Sequence, residues 1–399
     1  MSELNKSGSG RALFLSTTAF AVSFAVWGLV AALAPVFSDL YQLSATQKSI
    51  MIAVPVLLGS VGRLVAGMLA DRFGGRNVFA ALLVFSAIPA VAIGFSTNFS
   101  QLLLFGLLLG VAGTTFPVGV GFTSRWFAPE KQGTALGIYG MGNIGQSVSV
   151  FLAPVLALRL GNWRTVFFIF AAITIIWGVV FYIFARNSPS TVRPKTLAES
   201  LSPLRNSRIA WILSLFYFLT FGGFVALALY MPTLLREIFN LSPTDAGART
   251  AGFVILATLM RPTGGILADK LGGAKVLVFV FLAIAVLCIL LSFDSIVPFT
   301  IGALGCAAAL GIGNGAVFKL VPQYFPKETG TVTGLVGAFG GLGGFFPPIE
   351  LGLIKDAFGS YTFGFVLLSI FSLACLAVNY FTFLRSSTAG ELMPERSGT

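Results

Sequence analysis

Twelve blocks of apolar residues, each about long enough to cross a bilayer, decide most of what this chain can become. They fall roughly at 12–36, 48–70, 77–96, 101–122, 133–157, 165–185, 209–231, 248–268, 275–292, 298–321, 331–354 and 362–384. A helix needs about 20 apolar residues to cross the hydrocarbon core. Only 10% of the 399 residues are charged and 56% are hydrophobic, against about 25% charged in a soluble domain. Such a chain cannot clothe a water-facing surface, which excludes a soluble enzyme and a disordered polymer. The expected fold class is an all-α membrane protein.

The residue types that are missing narrow the chemistry. There is no histidine, so histidine ligation of haem and histidine proton relays or acid–base catalysis are absent. Cys288, Cys306 and Cys375 lie inside apolar blocks with no paired spacing, which argues against a disulfide framework or a zinc site. No cofactor and no metal are expected. The Gly-x-Gly strings lie within spans, where a dinucleotide loop has no strand to follow. The net charge of +11 is a topology signal and not a nucleic-acid footprint, because the basic residues sit between the blocks. With the N-terminus inside, sixteen Lys and Arg lie on the cytoplasmic side and six outside, and three fall within spans. The positive-inside rule then places both termini in the cytoplasm.

The longest polar gap separates blocks six and seven. The chain therefore divides into an N-terminal bundle (1–187), a cytoplasmic linker (188–207), and a C-terminal bundle with a tail (208–399). The halves are copies. Arg63-Leu-Val-Ala-Gly-Met-Leu-Ala-Asp71-Arg72-Phe-Gly-Gly-Arg76 returns 198 residues later as Arg261-Pro-Thr-Gly-Gly-Ile-Leu-Ala-Asp269-Lys-Leu-Gly-Gly-Ala274, and Trp126-Phe127 returns as Tyr324-Phe325. Parallel six-helix halves with a midplane site between them resemble a transporter of the major facilitator superfamily, as does the Asp-Arg-Phe-Gly-Gly-Arg loop.

Arg63 and Arg261 are the centre of the functional reading. A guanidinium in hydrocarbon costs several kcal/mol and must face a partner or a wet cavity. No intramembrane carboxylate lies near either in sequence. Two arginines at repeat-related positions suit a small planar oxyanion, whose oxygens accept parallel hydrogen bonds from the guanidinium fork. The bland alternative is that each snorkels to the interface. Gly137, Gly140, Gly142 and Gly145 in block five, and Gly337, Gly340, Gly341 and Gly343 in block eleven, allow close helix approach. They serve either plain packing or the rocking of the halves.

The strings Gly-Met-Gly-Asn-Ile-Gly-Gln-Ser (140–147) and Gly-Ala-Phe-Gly-Gly-Leu-Gly-Gly-Phe-Phe (337–346) resemble the paired signatures of the nitrate/nitrite porter family. The resemblance covers essentially the whole chain. It implies one anion between Arg63 and Arg261, with Asn143 bonding an oxygen and Phe116, Tyr217 and Phe221 as aromatic walls. By composition alone these aromatics would be ordinary packing. Lys319 and Glu350 stand outside that picture, as possible proton-coupling groups or as interface residues. Asp71, Arg72, Arg76 and Asp269 read as gating residues or as topology signals.

The expectation is a twelve-helix carrier of nitrate and nitrite in the inner membrane, working by alternating access, with nitrate/nitrite exchange as the mode. The partners would be the small anion and the lipid bilayer, with no nucleic acid and a monomeric state. Proton-coupled symport, or exchange of a small carboxylate such as oxalate or formate, remain the alternatives.

Overall fold

The computed structural model describes residues 4–127, 135–136, 138–188, 207–325 and 329–385. The centre of the linker, 189–206, and Gly137 lie outside them. Among the described residues eleven helices are long and apolar enough to cross a membrane: α1 (Gly8–Trp27), α2 (Ala45–Ala70), α3 (Gly75–Gly94), α4 (Phe99–Thr123), α5 (Ile138–Arg159), α6 (Trp163–Phe184), α7 (Arg208–Phe239), α8 (Pro243–Leu271), α9 (Gly273–Leu290) and α10 (Ile296–Val321), then α12 (Thr362–Leu384). The remaining span, α11, is broken into Thr329–Leu342 and Phe346–Phe358 around a run of glycines. The twelve expected spans are therefore all present. The chain after α1 continues through two short helices, Leu29–Ala32 and Ala34–Tyr41.

The two halves repeat down to the backbone. Six described residues have positive φ: Gln42 and Asn240, Gly74 and Gly272, Gly161 and Gly359. Members of each pair are 198 residues apart. Gln42 and Asn240 end helices in the left-handed region, and Ser44 and Ser242 then cap the N-termini of α2 and α8. Gly74 and Gly272, at φ +85° and +88°, make the tight turn of the repeated Asp-loop, where a side chain would be strained.

Packing follows the same symmetry. Within the halves, α2 packs on α4 and α3 on α6, as α8 packs on α10 and α9 on α12. Between the halves, α5 meets α8 and α2 meets α11. Helices α3, α6, α9 and α12 carry exposed rows such as Ile173, Ile176, Val179 and Ile183 on α6, and Phe279, Leu282, Val286 and Ile289 on α9. Spacing of three and four residues makes each row one helix face, as a lipid-facing surface requires. Helix α7 lies at the centre, with Gly222 to Leu235 buried throughout.

Candidate functional site

Four of the helices around the buried arginines lose regular α geometry. Helix α4 tightens at Gly110–Thr114, α5 tightens at Met141–Asn143, α7 widens into a π-turn at Phe218–Gly222, and α11 breaks after Leu342. Such irregularities free backbone groups and occur often at functional sites. Here they surround the two arginines.

Arg63 is 4% exposed. Its Nε donates to the Gly113 carbonyl of α4 at 3.4 Å, and its Nη1 donates to the Gly337 carbonyl of α11, in the other half, at 2.8 Å. Small residues permit this reach. A Cβ on Gly341 would stand 2.4 Å from Ser60 Oγ and 3.1 Å from Arg63 Nη1, and one on Gly59 would stand 3.0 Å from the Gly110 carbonyl. The guanidinium lies 5.5 Å from the Phe116 ring centre and 5.6 Å from that of Phe221.

Arg261 lies against the same ring system, 5.3 Å from Phe221 and 5.2 Å from Phe224. Its Nε and Nη2 are buried and have no hydrogen-bond partner. Those two nitrogens form one straight edge of the guanidinium, the edge that binds two oxygens of an oxyanion side by side. Both arginines contact Phe221, so their separation cannot exceed the sum of the two ring distances. Tyr217 stacks on Phe221 at 5.0 Å with the planes 3° apart, and Phe318 of α10 meets Tyr217 edge-on at 4.7 Å.

The structure thus brings Arg63, Arg261, Phe116, Tyr217 and Phe221 together. Asn143 is buried on α5. Its Nδ2 donates to the Gly140 carbonyl at 2.7 Å, and its Oδ1 has no partner. One turn earlier, Tyr139 stacks on Phe116 at 6.0 Å and donates to the Phe116 carbonyl at 3.1 Å. Tyr139 was not singled out from the sequence, because a tyrosine in a glycine-rich block carries no signal of what it touches.

The glycines divide into two groups. Gly142 and Gly145 press on Phe20 and on the Ala21 carbonyl of α1; Gly340 and Gly343 press on Tyr217 and on the Phe218 carbonyl of α7. These four face their own half. Gly341 is the one that faces the other half, and Gly140 and Gly337 have open space where a Cβ would stand. Although α5 and α11 do line the junction of the halves, most of these glycines point away from it.

The remaining sequence-chosen residues lie elsewhere. Lys319 pairs with Asp269 of its own half. Glu350 is exposed on the face of α11 that carries Phe346 and Leu353, each one turn away, which is the outer surface and not the arginine site. Arg76 donates through Nε to the Tyr182 carbonyl at 2.8 Å and lies 4.5 Å from that ring, and its backbone N–H donates to Asn187 Oδ1. Arg72 lies 5.3 Å from the Phe73 ring. The Asp71 side chain lies outside the described ones.

A second group of charges, at the end of the bundle away from the linker, ties the halves together. Lys48 pairs with Glu237, and Arg236 pairs with Asp39. Tyr361 donates to the other oxygen of Glu237, while Tyr230 receives a bond from Ser49. Asp356 accepts from the backbone N–H groups of Ala45 and Thr46 at 3.1 and 2.8 Å, capping α2 from across the junction. Bonds from the Thr46 side chain, then from those two N–H groups, hold the Asp356 carboxyl below the usual carboxylate range. Burial, then Tyr230 and Glu237, push the Tyr361 phenol well up, so it stays a donor. Asp39 and Glu237 are themselves 198 residues apart. The pattern is therefore two symmetric acids, each paired to a base of the other half, around a pocket of about 120 Å³ lined by Pro35, Ser38, Thr233 and the four charges.

Comparison with known proteins agrees with this architecture. Residues 15–248 and 213–395 match the Major Facilitator Superfamily. The chain is 40% identical over 363 residues to the nitrite extrusion protein of Bacillus subtilis (strain 168), covering 91% of each chain. It is 40% identical over 368 residues to a probable nitrate transporter, NarT, of Staphylococcus haemolyticus (strain JCSC1435), covering 92% of this chain and 95% of that one. A bacterial homologue of the human lysosomal transporter Spinster, solved inward-facing and unoccupied, superposes with a TM-score of 0.72 at 18% identity, over 96% of this chain and 97% of that one. That last likeness is one of fold. A whole-length sequence match, a duplicated six-helix bundle and a buried arginine pair between the bundles converge on one assignment: the chain belongs to the nitrate/nitrite porter family of the major facilitator superfamily, and it is a membrane transporter and not an enzyme.

Proposed function

We propose that this protein carries nitrate and nitrite across a bacterial inner membrane by alternating access, as an exchanger, with the anion held by Arg261 and Arg63. The observation that carries the reading is the unpartnered Nε/Nη2 edge of Arg261, buried in an aromatic cage. A buried charge without a partner is destabilising, and a planar oxyanion supplies both the charge and the two acceptors that the edge lacks. The relatives, a nitrite extrusion protein and a probable nitrate transporter, are named for ions of that shape.

The arginine pair also gives a physical reason for exchange. Two unit charges about 8 Å apart repel by roughly 2 kcal/mol at an effective dielectric of about 20. One anion between them reverses the sign, so the loaded carrier closes around its substrate more readily than the empty one. Charge pairing at the end remote from the linker supports a state closed on that side. Under the positive-inside assignment that side is the outer one, and the anion would leave toward the cytoplasm. Asn143 and the walls Phe116, Tyr217 and Phe221 would orient a flat ion and exclude water. Gly140, Gly341 and Gly337 would give the halves freedom to move. Neither Lys319, already paired, nor Glu350, on the outer face, is placed to carry a proton through the site.

Nitrite uptake into proteoliposomes at equal pH on both sides tests the proposal. Uptake into vesicles loaded with nitrate, and none into empty ones, is the expected result. Uptake into empty vesicles that rises with an inward proton gradient would replace exchange by symport. Failure of both, with oxalate or formate exchanging instead, would move the substrate to the small carboxylates.

A further inference from the structure

We propose that Asn314 of α10 is a further substrate-contacting residue, donating its amide N–H to the oxyanion held by Arg261 and favouring an ion with three oxygens over one with two. The inference rests on the anion reading above.

Asn314 is 2% exposed, and neither Nδ2 nor Oδ1 has a hydrogen-bond partner. More than nine in ten buried polar groups are paired, and an unpaired buried amide is a standing loss of stability. A residue kept at that loss calls for something that binds there.

Its neighbours fix its position. Leu310 and Phe318 lie one turn to either side on the same stripe of α10. Leu310 borders Gly223, where a Cβ would stand 3.3 Å from its Cδ2, and Phe318 meets the Tyr217 ring at 4.7 Å. A Cβ on Gly313 would meet Thr220 of the π-turn at 2.6 Å, and one on Gly315 would meet the Arg261 carbonyl at 2.3 Å. Asn314 is thus held at the level of the π-turn of α7 and of Arg261.

The internal repeat says what it faces. Asn314 and Phe116 are 198 residues apart, as are Arg261 and Arg63. Phe116 lies 5.5 Å from the Arg63 guanidinium, so Asn314 stands to Arg261 as Phe116 stands to Arg63. The exchange is reciprocal, because the repeat mate of Asn143 is Gly341. Each half therefore offers one amide at the site, from α5 in the first and from α10 in the second. An amide –NH₂ has two hydrogens to give and suits an acceptor-only ion. The Arg261 edge engages two oxygens. Nitrate has a third oxygen to take the Asn314 bond, and nitrite does not.

The test uses the full chain purified in detergent, with nitrate and nitrite affinities read from anion-dependent shifts in melting temperature. In Asn314→Leu, nitrate affinity should fall by roughly 10- to 100-fold, the range for a hydrogen bond to a charged group, and nitrite affinity by several-fold less. The anion-free melting temperature should stay level or rise, because an unpaired amide has been replaced by an apolar side chain of similar size. Asn314→Ser keeps a donor and should fall between. A nitrate affinity within about twofold of the wild type in the Leu variant would overturn the proposal. So would a lower anion-free melting temperature with both ions weakened alike, which is the mark of a purely structural residue. If the Leu variant does not fold, the Ser variant decides, and an unchanged nitrate-to-nitrite ratio overturns the assignment. A wild type that shifts with neither ion would overturn the substrate reading itself, whereas a responsive wild type matched by an equally responsive variant would overturn only the role of Asn314.

Discussion

Arg63 and Arg261 are equivalent by the repeat and unequal in their surroundings. Arg63 spends two donors on carbonyls, one of them across the junction on Gly337, whereas Arg261 keeps a two-nitrogen edge without a partner. The two should therefore fail differently. Arg261→Lys keeps the charge and loses the edge, and should raise the nitrate KM by roughly 10- to 100-fold. Arg63→Lys should lose most transport chiefly through turnover, because one ammonium cannot span from Gly113 to Gly337. Concentration-dependent counterflow separates the two, and equal effects on KM would refute the asymmetry. The pair could be found in the sequence because a charge inside an apolar block is conspicuous and the repeat names its mate. Asn314 could not, because a single asparagine in a glycine-rich span differs little from a packed one until its lack of partners is visible.

At the scale of the helix, glycine decides how near two backbones come. A Cβ on Gly145 would lie 1.8 Å from the Ala21 carbonyl, and one on Gly343 would lie 2.2 Å from the Phe218 carbonyl. Backbone cannot yield as a side chain can, so Gly145→Ala and Gly343→Ala should each destabilise by about 1–3 kcal/mol, the scale of an overpacked core. Gly140→Ala and Gly337→Ala meet nothing within 4 Å and should leave the melting temperature of the detergent-purified protein nearly unchanged. A slower exchange rate in these two, with stability intact, would mark them as hinges. The glycine run did announce close packing. It could not say which neighbour was close, because the helical period needs only a small error in phase to turn a face from the far half to the near one.

For the whole molecule the question is which end is shut. Lys48–Glu237, Arg236–Asp39 and the Asp356 cap on α2 all cross the junction at the end remote from the linker. Lys48→Ala leaves the Glu237 carboxylate facing Tyr361 without its cation. That should weaken closure by about 2 kcal/mol, less than for a fully buried pair because Glu237 keeps some exposure. The charge-swapped pair Lys48→Glu with Glu237→Lys should recover part of it. Spin-label distances across this end would read both, and an unmoved distribution in Lys48→Ala would remove the pair from the gate. Asp356 adds a pH dependence. Its carboxyl is depressed in the closed state, so its support for closure is complete above the ordinary carboxylate value of about 4 and fades as pH falls through the depressed one. Acid should open this end, and Asp356→Asn should abolish that part of the response.

Span number, duplication, the Asp-loop turn and the arginine pair were legible in the sequence by itself, because each rests on local rules. Apolar length sets a span, a 198-residue echo sets the halves, and a buried charge stands out against hydrocarbon. Tertiary structure alone decided which faces meet. It put Lys319 on Asp269 and Glu350 on the outer face beside Phe346 and Leu353. It placed Phe221 against both guanidiniums and joined Asp39 to Arg236 and Glu237 to Lys48 across the junction. Those outcomes depend on the rotation of each helix about its own axis. That rotation is set by the packing of all its neighbours at once, and composition and period constrain it only loosely.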